Sequence, residues 1–363
     1  MHDVGGCVIR SLIGLFVGLA ISLSIVAFAG ENPFSVFMIL IRSAFGSPYD
    51  LGLALFYTTS LIFTGLSVSL AFQAGLFNIG AEGQLTVAAL AAAATGVLLP
   101  EVPSPWAPLL ATTLGISAGA LWGFIPGWLK SRRGSHEVIV TMMMNFIAAA
   151  LASYVVLDLI KNPESQNPES KILGPGYLLK DYDFVQKFFV DSPANLSLIL
   201  ALALSVLIYF FLYKTIWGYE LRASGQNEVA SEMAGISSKR WKTLAMTIAG
   251  ALAGFVCVNE ILGSSGRYKI GFSPEYGFVG IAVALLARSH PLGVIASAFL
   301  FGALQKGASD LDIETATITK DFARIIQAIL IFSVAGATLI DFSWIRQKCF
   351  FWKKKGVTDA NFE

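Results

Sequence analysis

Leu51–Leu99 reads LGLALFYTTSLIFTGLSVSLAFQAGLFNIGAEGQLTVAALAAAATGVLL: two apolar runs, near 51–71 and 79–99, joined by the glycine-rich polar stretch 75–84. Each run has the roughly 20 residues that a helix rising about 1.5 Å per residue needs to cross a hydrocarbon core of about 30 Å. The pair predicts two membrane-crossing helices with a polar handover between them. The same pattern recurs along the chain, giving ten candidate spans near 11–29, 51–71, 79–99, 107–129, 137–158, 196–213, 243–262, 277–287, 291–304 and 325–341. The eighth and ninth are too short to cross alone, so they read as half-helices or as spans with misplaced boundaries.

Composition agrees. Of 363 residues, 55% are hydrophobic and 13% charged, against roughly 45–50% and about 25% in an average soluble domain. This excludes one large soluble core and predicts an all-α polytopic membrane protein in which residues 1–363 form a single domain. A net charge of +1 without a basic domain argues against a nucleic-acid partner. Cys7, Cys257 and Cys349 are far apart and form no CxxC, so neither a disulfide framework nor a zinc site is implied. The first apolar run follows Arg10 and ends in Ala27-Phe28-Ala29, which resembles a signal-peptidase site. At 18 residues from Leu12 to Ala29 it exceeds the roughly 7–15 of a signal core and reads as a retained first span.

Basic residues set the orientation. With a cytoplasmic N-terminus, the inner segments hold 15 of the 25 Lys and Arg residues, as the positive-inside rule requires. Both termini are then cytoplasmic, loop 159–195 lies outside, and loop 214–242 and tail 342–363 lie inside. The outer loop repeats Asn-Pro-Glu-Ser at 162–165 and 167–170 and reads either as a cap over the outer mouth or as a disordered linker. Lys353-Lys354-Lys355 suits an anchor on anionic lipid.

The chain lacks a P-loop, an HExxH and a redox pair, and His2, His136 and His290 are isolated near inner boundaries. Gly115-Ile116-Ser117-Ala118-Gly119 matches the esterase pattern but lies within an apolar helix rather than on a strand-to-helix elbow. Gly115, Gly119, Gly123 and Gly127 share one helical face, and Gly250 and Gly254 repeat the device. Such faces let helices approach closely. In the handover, Asn78, Glu82 and Gln84 are polar at membrane depth, which is costly unless they line water, a solute path or a partner group. A local reading makes Asn78 the cap of span three, with Glu82 stabilised by the helix dipole in its first turn. Asn145 in span five is either an interhelical hydrogen bond or a contact to a polar solute. In loop 214–242, Asn227 is a plausible N-cap, Glu228 to Ala234 gives two turns, and Gly235 suits a left-handed C-terminal cap before Ile236. That short helix reads equally as a docking knob for a cytosolic partner, inserting small Ala230, Ser231 and Ala234, or as an interfacial linker.

Several stretches together resemble the permease subunits of ribose-type and nucleoside-type ABC importers over nearly the whole chain. They are Thr64-Gly65-Leu66, Phe77-Asn78-Ile79-Gly80-Ala81-Glu82-Gly83-Gln84, Trp122 to Gly127, His136-Glu137-Val138-Ile139-Val140-Thr141 with Met142 to Asn145, Gly218 to Ala223, Gly225-Gln226-Asn227, Ala234-Gly235-Ile236 and Gly280 to Leu286. The NIGAEGQ-like stretch, HEVIVT and the long outer loop most resemble the larger permease of nucleoside importers. The resemblance implies about ten helices in two inverted halves, spans two to five and seven to ten. It also implies a second permease around a central path, a cytosolic ABC ATPase, an extracellular or periplasmic solute-binding protein, and a place in the cytoplasmic (inner) membrane with lipid around it. No catalysis or cofactor is expected of this chain, ATP and Mg being held by the ATPase.

The family's coupling helix corresponds to Asn227 through Gly235, and the expected ATPase-coupling residues are Arg222, Gly225, Asn227, Glu228, Ala230, Ser231, Glu232 and Gly235. The expected path residues are Phe77, Asn78, Glu82, Gln84, Asn145 and Phe146, the two aromatics offering stacking faces. The chain departs from the family in having Ala230-Ser231 for the usual small pair and Ala287-Arg288 where a glycine usually follows the VALL stretch. The expected cargo is a nucleoside. A simple sugar such as ribose is the alternative within the class, and a passive facilitator the alternative outside it.

Overall fold

The computed structural model describes residues 4–179 and 192–315, together with residues 185, 188, 189, 324–326, 328, 329, 332, 333 and 336. The described residues are helical, with no strand and two isolated antiparallel bridges. In chain order the helices are α1 Val4–Phe28, α2 Pro33–Phe45, α3 Pro48–Gln73, α4 Ala81–Leu98, α5 Trp106–Arg133 and α6 Glu137–Tyr154. After the long loop come α7 Ser197–Lys214, α8 Ile216–Gln226, α9 Glu228–Met233, α10 Ser238–Gly254, α11 Tyr276–Leu286 and α12 Pro291–Glu314. π-Helical segments Val155–Leu159 and Val258–Ser265 extend α6 and α10. Among the described residues, seven helical stretches are long and apolar enough to cross a membrane: α3, α4, α5, α6 through Leu159, α7, α10 through Ser265, and α12.

Local sequence explains where these helices begin. Ser47 accepts the Asp50 amide at 3.1 Å ahead of Pro48, and Asn32 accepts the Phe34 amide at 2.9 Å ahead of Pro33. In each case an N-cap oxygen precedes a proline that needs no donor in the first turn. The second of these starts α2, a helix absent from the sequence reading because 13 residues with Arg42 near the end are too short to read as a span. α2 lies against α12, where Leu40 occupies the space that a Cβ on Gly307 would need.

The glycine faces meet each other. A Cβ on Gly119 would lie 2.6 Å from the Gly250 carbonyl oxygen, and one on Gly127 would lie 2.8 Å from the Met246 Cβ. α5 and α10 therefore touch backbone to backbone, the arrangement that removal of side chains from one face permits. α3 is buried along most of its length between α10, α11 and α12 and carries the largest apolar cluster, with Leu61, Phe63, Leu66 and Leu70 at its centre.

Two boundary expectations change. The eighth candidate is a genuine half-helix of 11 residues, α11. The ninth, 291–304, extends to Glu314, because Lys306 ends its charge inside the protein on Asp310 and, at 3.2 Å, on Asp50. The turn between them supplies what the missing family glycine would have given: Arg288 and Ser289 adopt φ of 51° and 55°, a left-handed conformation costing roughly 1–2 kcal/mol for a non-glycine residue. The tenth span, 325–341, and the tail with Lys353–Lys355 lie largely or wholly outside the described residues.

Of the two readings of loop 159–195, the described part favours the cap. Ser170 donates its amide to the Tyr268 carbonyl at 2.9 Å, Leu173 to Gly266 at 2.9 Å and Gly174 to Gly96 at 3.1 Å. Arg267 pairs with Glu169 at 2.6 Å, and the Tyr177 hydroxyl donates to the Leu99 carbonyl at 2.8 Å. The loop is thereby laid across the ends of α4 and the α10 extension.

Candidate functional site

The described residues hold three polar constructions: a knob on the 214–242 loop, a meeting of two helix starts in the interior, and a polar network near the end of the long loop. The knob is α9. Asn227 caps it, its side-chain oxygen accepting the Ala230 amide at 3.0 Å. Gly235 closes it at φ 82°, while the Ile236 amide returns to the Ser231 carbonyl at 2.9 Å, a left-handed closure that glycine adopts without strain. Lys242 of α10 pairs with Glu228 at 2.6 Å, and the Trp241 indole donates to Glu220 of α8 at 2.8 Å. Arg222 lies 4.9 Å above the Tyr213 ring, the face a cation favours. Ser231, expected on the docking face, turns inward at 4% exposure, and the outward face instead presents Val229, Met233, Ala230 and Glu232. A single six-residue helix cannot show all its small residues to one side.

The knob touches the interior through two glycines. Gly225, at the end of α8, lies so close to the α3–α4 link that a Cβ on Gly75 would sit 2.8 Å from the Gly225 carbonyl oxygen and one on Gly225 would sit 2.7 Å from the Gly75 amide nitrogen. Six residues beyond Gly75 the chain starts α4.

That start faces the start of α11. Glu82, in the first turn of α4, accepts the Gly277 amide of α11 at 2.7 Å, and Gly277 allows the approach because a Cβ there would lie 2.6 Å from the Glu82 Cα. Two positive helix ends would repel across this gap. The Glu82 side chain satisfies one orphan amide of α11, and the Ser273 hydroxyl accepts the Tyr276 amide at 3.1 Å. Asn145 of α6 serves the other helix: its oxygen accepts the Gly83 amide at 2.9 Å and its amide donates to the Ile79 carbonyl at 3.0 Å.

The local reading of Asn78 needs correction, because Gly80 stands at the N-cap of α4 without a side-chain bond. Fully buried Asn78 instead forms a reciprocal amide pair with Gln84, at 2.9 and 3.0 Å, and donates to Ser67 at 3.1 Å. In hydrocarbon, mutual pairing satisfies both amides better than a cap that serves one. The six expected path residues are therefore split. Asn78, Gln84 and Asn145 hold the α3–α4 link, Glu82 joins it to α11, Phe77 packs on Phe72 with ring centroids 5.1 Å apart, and Phe146 stands outward on α6 at 66% exposure.

The third construction escaped the sequence reading. In the π-helical extension of α10, the Asn259 amide donates to the Phe56 carbonyl at 3.0 Å and to the Ser60 hydroxyl at 2.8 Å, and its oxygen accepts from Asn195 and Ser197, each at 2.9 Å. Glu260 accepts from the Ser60 hydroxyl at 2.9 Å and bonds the Tyr276 hydroxyl. An Asn-Glu pair inside the seventh apolar run was the available signal, but its partners on α3 lie about 200 residues away in sequence and the others on separate elements.

Residues 51–335 match the family described as "Branched-chain amino acid transport system / permease component". The chain is 37% identical over 332 residues to the guanosine ABC transporter permease protein NupP of Bacillus subtilis, covering 91% of this chain and 94% of that protein. It is 31% identical to the nucleoside ABC transporter permease protein NupB of Lactococcus lactis, covering 92% of each, and 31% identical to the glucose ABC transporter permease protein TsgB13 of Haloferax volcanii, covering 83% and 80%. The chain belongs to the family of branched-chain amino acid transport system permease components.

Proposed function

We propose that this chain is the permease subunit of an ATP-driven ABC importer that moves a nucleoside inward. It would work with a second permease, a cytosolic ABC ATPase and an extracellular or periplasmic solute-binding protein. The observation that carries the reading is the likeness to guanosine and nucleoside permeases over more than nine-tenths of this chain. A sugar is the second reading, favoured by the glucose permease at comparable identity over a somewhat shorter span.

In this reading the chain lies in the cytoplasmic membrane with both termini and α9 inside, and it neither hydrolyses ATP nor binds a cofactor. The ATPase, holding ATP and Mg, docks on α9 through Val229, Ala230, Glu232 and Met233. Closure of the ATPases moves α9, and the Gly225–Gly75 contact passes that movement to the α3–α4 link. The shift reaches the Glu82–Gly277 junction, where the start of α4 meets the start of the half-helix α11, an arrangement akin to the helix starts that meet in transporters built from inverted repeats, and changes which mouth is open. The path runs beside Glu82 and the outward face of α6 with Phe146, while Asn78, Gln84 and Asn145 keep its wall in place. No tight solute site is needed for this, since a path must release its cargo.

Competition decides the substrate class. In vesicles carrying the complete complex, unlabelled guanosine should suppress uptake of labelled guanosine, and glucose or ribose should not. Uptake of labelled glucose or ribose by the same vesicles, with no uptake of guanosine, would replace the nucleoside reading.

A further inference from the structure

Next to Glu260 lies a cavity of about 380 Å³, within the roughly 300–1,000 Å³ usual for small-molecule sites. Its walls come from α3, the π-helical extension of α10, the link leading to α11 and its first residue, and α12, with Arg324 from beyond α12. They include Tyr57, Glu260, Phe272, Tyr276, Gln305, Ser309 and Arg324. It sits at the end of the molecule covered by loop 159–179, away from the knob.

We propose that this cavity is a contact site for the base and ribose of a nucleoside on its way through the permease, with the Glu260 carboxylate reading a base edge that offers two adjacent N–H donors. The proposal rests on the nucleoside reading above and adds where the solute is held.

Four observations support the site. An ionisable side chain inside the hydrophobic part of a membrane chain requires a partner or a function. Glu260 has two neighbours in the Ser60 and Tyr276 hydroxyls, yet it still lines the open space rather than being sealed off by them. The backbone carrying it is π-helical from Val258 to Ser265, an irregularity frequent at functional sites because it re-aims a side chain. The walls alternate aromatic faces, Tyr57 and Phe272, with hydrogen-bonding groups, Gln305 and Ser309. The latter two are four residues apart on α12 and share a face.

Charge narrows the ligand. Among the lining residues there is one carboxylate, Glu260, and one guanidinium, Arg324, so the wall has no excess charge to hold a phosphate. An uncharged solute with a flat face and several hydroxyls fits these groups, the base lying on an aromatic ring and the ribose facing Gln305 and Ser309. Guanine presents N1–H and a 2-amino N–H side by side, which a carboxylate accepts as a fork. Uracil presents a single N–H flanked by carbonyl oxygens that a carboxylate repels. The site therefore favours guanosine over uridine.

The test uses vesicles carrying the complete complex with saturating binding protein, and it reads guanosine and uridine uptake together with ATP hydrolysis and thermal stability. Glu260→Gln should lower the guanosine-to-uridine uptake ratio about 10–100-fold, the worth of a hydrogen bond to a charged group. Should Glu260→Gln fail to assemble, Ala308→Phe decides: it adds bulk to the cavity from α12 and leaves the Ser60, Glu260 and Tyr276 side chains themselves unaltered, and should cut uptake of both nucleosides at least about tenfold in a complex of parental stability. Guanosine uptake by the parent together with an unchanged ratio in Glu260→Gln, or unchanged uptake in Ala308→Phe, overturns this site and leaves the nucleoside reading standing. Absence of nucleoside uptake by the parent overturns the nucleoside reading itself.

Discussion

Asn145→Leu removes a side chain that holds both ends of a break in the backbone ladder. In the parent, its oxygen takes the Gly83 amide at 2.9 Å, one of the donors that the first turn of α4 leaves without an intrahelical partner, and its amide covers the Ile79 carbonyl at 3.0 Å. Leucine has nearly the same shape, so no cavity opens, and the whole effect comes from two polar groups left without partners. Each such group costs about 1–3 kcal/mol when dry, but hydrogen bonds inside membrane proteins average nearer 0.6 kcal/mol because the unfolded chain finds other partners. Gly83 is buried and the Asn145 side chain only half-buried, which places the loss at about 2 kcal/mol. Asn145→Asp keeps the acceptor for Gly83 at a positive helix end but sets an oxygen against the Ile79 carbonyl, so it should lose less than leucine does. Equilibrium unfolding of the purified chain in mixed micelles measures both. A leucine variant as stable as the parent but unable to transport would refute the latch and return Asn145 to the path as a direct solute contact.

The remaining predictions concern the knob, the helix seam, the turn and the loop. Gly235→Trp should abolish co-purification with the ATPase and its stimulated hydrolysis, because the φ of 82° at the closure of α9 strains any side chain; an intact complex with normal hydrolysis would sink the docking role. Gly225→Ala should leave the ATPase bound but uncouple hydrolysis from uptake, since a Cβ there meets the Gly75 amide nitrogen at 2.7 Å; a parental ratio of solute carried per ATP would contradict the proposed relay. Gly123→Leu should prevent α5 and α10 from seating, and loss of folded chain on size-exclusion chromatography is the expected readout. Arg288→Gly should leave stability unchanged or raise it by up to about 1 kcal/mol by relieving the left-handed turn, so a destabilised variant would show that the arginine side chain outweighs the backbone. Hydrogen bonds from Ser165 and Arg267, with the Arg267 charge, hold the Glu169 carboxyl below its usual 4.5. A carboxyl lowered on folding adds stability above its usual value and gives it up as pH falls through the lower one, so proteolysis of loop 159–171 should be slow at neutral pH and rise as pH falls through the acid side of the usual carboxylate range.

Most of the described spans, the α9 caps and the paired glycine faces were legible in the sequence because each is a local or periodic signal. Asn227 and Gly235 announce a helix start and stop by the chemistry of a single turn, and Gly115 to Gly127 need only one helical wheel. What could not be read depends on distant partners. Lys306 seemed to end a span, and only the structure brings Asp50 to it from more than 250 residues away. Asn78 offered an ordinary cap, but Gln84 and Ser67 gave its amide better satisfaction in a dry interior. Asn259 and Glu260 lay in plain view in an apolar run, yet their meaning comes from Ser60, Asn195 and Tyr276 on other elements. α2 was missed for a different reason: a helix lying against α12 needs no membrane-length run.

The most direct test of the account is accumulation. Vesicles reconstituted with this chain, its partner permease, the ATPase and the binding protein, with ATP supplied on the α9 side, should concentrate labelled guanosine above its external level, and should stop when ATP is replaced by a non-hydrolysable analogue. Guanosine that equilibrates across the vesicle membrane through this chain without ATP, and never rises above the external level, would contradict an importer permease and establish a passive facilitator instead.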